Sequence, residues 1–113
     1  MKYTAELPDE SLSDLTITDE KGELVGWLTG FDSVLIAIDF MGMINGSKLP
    51  ITHFPKGELE AVEDAGNDDD HQHWPFMIYA DETRICDVMG GDYVDALELG
   101  EALVKQIKEA TKG

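Results

Sequence analysis

The chain has 113 residues, 24 acids against eight bases and a formal net charge of −16, and its 42% hydrophobic content supplies apolar surface for one modest core. That composition excludes disorder and fits a single acidic α+β domain over residues 1–113. The charge would repel a polyanion, so direct nucleic-acid binding is excluded, and the apolar run from Val34 to Ile38 stops at Asp39, far short of the ~18 residues of a membrane span.

The N-terminal residues lack the apolar stretch of a secretory signal, so a cytoplasmic location is expected. Cys86, the single cysteine, closes no intramolecular disulfide, which fits a reducing compartment. Seven of the eight bases are Lys and eight residues are Ile, a balance unlike that of a salt-adapted proteome. The acidity is therefore read as this protein's own trait.

In chain order, residues 12–18 alternate at Leu15 and Ile17, and Asp19 to Gly22 forms a Gly-ended turn into a second strand over residues 23–29. The two make a hairpin, with Val25 and Trp27 on one face and Leu24, Gly26 and Leu28 on the other. Residues 34–41 alternate again, which predicts a strand with Val34, Ile36, Ile38 and Phe40 in the core and Asp39 on a wetter side. Pro50 and Pro55 limit the extended piece over residues 49–54 to an edge or loop. Over residues 56–66, Leu59 and Val62 suit a short helix and Leu59 and Ala61 suit a strand; Ala61, Ala65 and a Gly66 cap favour the helix.

Trp74 to Ala80 and Thr83 to Val88 form the second predicted hairpin. Asp92 is read as the N-cap of a C-terminal helix whose stripe runs through Ala96, Gly100, Leu103, Ile107 and Ala110, with acids early and Lys105, Lys108 and Lys112 late, as the helix dipole favours. The expected fold is a mostly antiparallel sheet of about five strands, this amphipathic helix packed on one face, and a short second helix.

No catalytic motif stands out. Cys86 lies in an apolar-flanked run and is read as core, and the serines lack a Gly-x-Ser-x-Gly elbow. Asp68, Asp69, Asp70, His71 and His73 form the richest polar cluster, with His53 the only spare histidine; the run fails the EF-hand pattern and is read as a solvated loop. The expectation is therefore no catalytic residue, no metal and no cofactor. A metal-dependent enzyme or metal-binding protein centred on residues 68–73 is kept as one rival reading, and a structural or assembly protein with an acidic solvated surface as another.

Charge is distributed unevenly. Residues 57–104 hold fourteen acids and one base, Arg84, whereas residues 1–56 hold nine acids and four bases. Arg84 is expected to pair with Asp81, Glu82 or a helix carboxylate. Small, acidic, α+β and without catalytic motifs, the chain resembles in general character the phage and mobile-element proteins that block host defence, including anti-CRISPR and anti-restriction DNA mimics. That resemblance implies an inhibitor acting by protein–protein contact. The sequence-based expectation is a non-enzymatic binding protein whose acidic face meets a basic protein surface of the nucleic-acid-binding kind. The residues assigned to this face are Glu58, Glu60, Glu63, Asp64, Asp68, Asp69, Asp70, Asp81, Glu82, Asp92, Asp95, Glu98 and Glu101. The sequence does not fix an oligomeric state.

Overall fold

Extended backbone needs hydrogen-bond partners, and the computed structural model shows which strands supply them; it describes residues 2–8, 14–46, 52–63, 76–90 and 96–111. Six strands, β1 (Thr4–Glu6), β2 (Leu15–Thr18), β3 (Leu24–Thr29), β4 (Leu59–Glu63), β5 (Phe76–Ala80) and β6 (Thr83–Gly90), form one antiparallel sheet in the order β1-β2-β3-β6-β5-β4. Helix α1 (Val34–Asn45) follows β3, and α2 (Ala96–Thr111) follows β6.

Both predicted hairpins form. In the first, Asp19 Oδ1 accepts from the backbone N–H groups of Lys21 and Glu23 at 2.8 and 3.0 Å, and Gly22 takes φ 82°. In the second, Asp81 turns the chain at φ 52° and its Oδ1 accepts from Glu58 N at 3.0 Å, fastening the start of β4 to the turn. Pairing of β3 with β6 joins the hairpins into one sheet. The beginning of the first predicted strand, Leu12, and of the second hairpin, Trp74, lie outside the described residues.

Two expectations are corrected. Residues 34–41 are the first two turns of α1 and not a strand. Leu35, Ala37 and Met41 are apolar as well as their alternate neighbours, so period-2 spacing had no polar face to confirm it, and the caps decide. Ser33 sits extended at the N-cap with Oγ accepting from Leu35 N at 3.1 Å, and Gly46 closes the helix in the left-handed region at φ 75°. Ala37, Phe40 and Ile44 are buried at helical spacing, while Ile38, expected in the core, is exposed. Asp39 is largely covered and accepts from His53 N and Phe54 N at 2.7 and 3.1 Å, which ties the 52–54 segment to α1 and stacks Phe54 on Phe40 at 5.3 Å. The second correction is β4, a strand over residues 59–63 where a short helix was expected; Ala65 and Gly66 of that expectation lie outside the described residues. Its local spacing was compatible with both states, and pairing with β5 selects the strand.

One face of the sheet carries the helices. Register places Ala5, Ile17, Gly26 and Gly90 in one row and Leu15, Leu28 and Val88 in the next, all on this face, with Ile78, Cys86 and Leu59 beyond them. From α2, Leu99, Leu103, Val104 and Ile107 complete the core; Leu99 and Val104 were absent from the predicted stripe, and Ala96 is only half-buried. Close approach depends on glycine. A Cβ at Gly26 would strike Leu99 Cδ2 and the Met89 carbonyl, and one at Gly100 would press on Ala61 and Val88.

Candidate partner-binding site

Seven of the thirteen acids assigned to the partner face fall among the described residues: Glu58, Glu60, Glu63, Asp81, Glu82, Glu98 and Glu101. Asp64, Asp68, Asp69, Asp70, Asp92 and Asp95 lie outside them, as do His71 and His73. Pairing of β4 with β5 brings Glu58, Glu60 and Asp81 around a hollow of about 280 Å³ that Lys108 also lines. Lys108 Nζ meets Glu58 Oε1 at 3.2 Å; Glu58 is 78% exposed, so this pair contributes little to stability.

Alternation sends Glu60 to the helix-free face beside Tyr79 and Glu63 to the other face at the strand's end. Both are exposed. On α2, Gly100 stands over Ala61, and Glu101 shares a stripe with Lys108, two turns later. The β4 side of the molecule thus gathers Glu58, Glu60, Glu63 and Glu101. Glu98 is directed elsewhere: its charge, with that of Asp19, adds to burial in raising the Tyr3 hydroxyl above its ordinary range. Glu82 is exposed in the β5–β6 turn.

Arg84 does not pair as expected. Its Nη1 meets Asp87 Oδ1 at 3.2 Å, and its Nη2 donates to Gly30 O at 2.7 Å and lies 3.7 Å from Asp32. Arg84 reaches across the helix-free side of the sheet to the end of β3, so its charge secures the β3–α1 turn, while Lys108 is the base that meets Glu58 beside β4. Sequence offered no means of choosing among its many carboxylate neighbours.

The remaining chemistry is sparse. Cys86 is fully buried, and desolvation, aided by the Asp87 charge, raises its thiol well above the usual range, which suppresses the nucleophilic thiolate. His53 Nδ1 lies 2.8 Å from Thr52 Oγ1. Among the described residues, no three His, Cys, Asp or Glu side chains are grouped to hold a metal ion, and no helix is long and apolar enough to cross a membrane. A groove of about 540 Å³ is walled by Met43, Phe54, Leu59 and Ile107, with Lys56 beside them.

Two side-chain amides stand at the opposite edge of the sheet, against β1. Gln106 Oε1 accepts from Tyr3 N at 2.8 Å while its Nε2 donates to Tyr3 O and Ile44 O at 2.9 and 2.8 Å. Asn45 Oδ1 accepts from Ala5 N and its Nδ2 donates to Ala5 O, at 2.8 and 2.9 Å. A polar Gln106 between Leu103 and Ile107 was the available signal. Comparison of the chain with protein-family models, with curated proteins and with solved structures finds no match.

Proposed function

We propose that this protein is a non-enzymatic binding protein whose acidic surface occupies a basic cleft of a nucleic-acid-handling protein, in the manner of a cytoplasmic anti-defence inhibitor. The observation that carries this reading is the fourteen-to-one excess of acids over residues 57–104, part of which converges on β4 as Glu58, Glu60 and Asp81. Duplex DNA presents one charge per ~1.7 Å of axis, so an excess of this size matches several base pairs of phosphate. Uncompensated like charge weakens the protein that carries it, and a cationic partner offsets that cost on binding, with fast, salt-sensitive association.

The test is affinity capture from host lysate at low and high salt, with duplex DNA as competitor, using wild type and a variant with Glu58, Glu60, Glu63 and Glu101 reversed to Lys. The expected result is a nucleic-acid-binding partner released by both salt and DNA and lost by the variant. Binding unchanged by the reversal, or indifferent to DNA, refutes the proposal.

A further inference from the structure

The two edges of the sheet, β1 and β4, are finished differently. At β1 the outward peptide groups of Tyr3 and Ala5 are taken by the side-chain amides of Gln106 and Asn45, each donating and accepting, as a neighbouring strand would. That edge is closed.

At β4 the bond from Asp81 N to Glu58 O, at 2.9 Å, sets the phase of the ladder. With Leu59 opposite Ala80, the peptide groups of Glu58, Glu60 and Val62 turn toward β5, and those of Leu59, Ala61 and Glu63 turn outward. Among the described residues, no group bonds these outward N–H and C=O groups. We infer that the outer edge of β4 is a strand-addition site that takes an extended, basic segment of another protein.

Charge selects this occupant. A strand laid against β4 sets its alternate side chains beside Glu60 on the helix-free face and beside Glu63 on the helix face, where Glu101 also projects from α2. Lys or Arg at those positions finds carboxylates within reach on both faces, whereas cross-strand like charges destabilise pairing. A second copy of this chain is disfavoured for that reason, since pairing two β4 edges sets Glu58, Glu60 and Glu63 of one copy among the same residues of the other. Backbone bonds supply affinity and the alternating acids supply selectivity.

This inference rests on the proposed acidic-surface function, and the experiment separates the two. A synthetic peptide of about ten residues built on a Lys-Lys-Val-Val repeat, which puts Lys on both faces of an extended strand, is titrated into the full chain at low salt, beside the same peptide N-methylated at every residue so that neither edge can donate, with amide exchange followed by NMR. The first peptide is expected to slow exchange at Leu59, Ala61 and Glu63 by roughly tenfold or more, leaving Tyr3 and Ala5 unchanged, and the N-methylated peptide to lose that protection. Glu63→Pro, which removes an outward donor, is expected to weaken binding far more than Glu63→Gln, which keeps it. Equal binding of both peptides overturns strand addition but leaves the acidic reading intact. Absence of binding by either overturns both for this edge, and a dimer joined through β4 in sedimentation overturns the choice of occupant.

Discussion

Replacing Gln106 tests whether the closed edge is held as the hydrogen bonds imply. Its amide serves three backbone groups: the N–H and C=O of Tyr3, and the C=O of Ile44, one of the last α1 carbonyls without an intrahelical partner. Each bond is partly buried, so a net value of about 1 kcal/mol apiece is appropriate, and Gln106→Ala is expected to cost about 2–3 kcal/mol after the small gain in helix propensity. For a domain of this size that lowers Tm by roughly 10 °C. Urea unfolding followed by tryptophan fluorescence measures it, with an unchanged m-value showing that the folded state is retained. Gln106→Glu sharpens the test, because a carboxylate facing two carbonyl oxygens has no proton to donate. The native state then favours the protonated acid, raising its folded pKa above the unfolded value, so the variant's stability is greatest below the usual Glu range and is lost as pH rises through the raised value. A loss under about 0.5 kcal/mol for Gln106→Ala, or a deficit of Gln106→Glu independent of pH between 4 and 7, refutes the reasoning.

The remaining predictions concern packing, a turn and charge. Gly26→Ala drives a methyl into Leu99 and the Met89 carbonyl; because the carbonyl belongs to the paired strand, a loss of about 2–4 kcal/mol is expected in urea melts, and a neutral effect excludes the close helix–sheet approach. Asp81→Asn keeps both the acceptor for Glu58 N and tolerance of φ 52°, and should be near neutral, whereas Asp81→Ala should cost about 1–2 kcal/mol. Burial raises the Cys86 thiol and the Tyr3 hydroxyl, so their contribution to stability is fully present below the unfolded pKa values and declines as pH rises above about 9 toward the raised folded values. Urea midpoints from pH 7 to 10.5 should fall accordingly, less steeply in Cys86→Ala. Raising NaCl from low to roughly physiological ionic strength should increase Tm, since the screening length shortens to about 8 Å; indifference to salt would deny a concentrated anionic surface.

Sequence by itself determined the antiparallel hairpins and the C-terminal helix, because Leu15, Ile17 and Leu28, and Leu103 and Ile107, repeat at spacings that only one backbone geometry can bury. It also determined where the charge lies, since acids and bases are counted without coordinates. Over residues 34–41 and 59–63 local spacing was degenerate, and capping by Ser33 and Gly46 in one case and pairing with β5 in the other decided between helix and strand. Of the candidate site, the acidity was legible and its arrangement was not. Glu58, Glu60 and Asp81 converge because β4 pairs with β5, while Glu98 turns toward Tyr3 because of its place on α2. Arg84 took Gly30 and Asp87, and Asn45 and Gln106 closed β1, through contacts spanning up to 103 positions in the chain. Long-range hydrogen bonds carry no local periodicity, so which edge of the sheet is closed and which is open emerges only when the chain is folded.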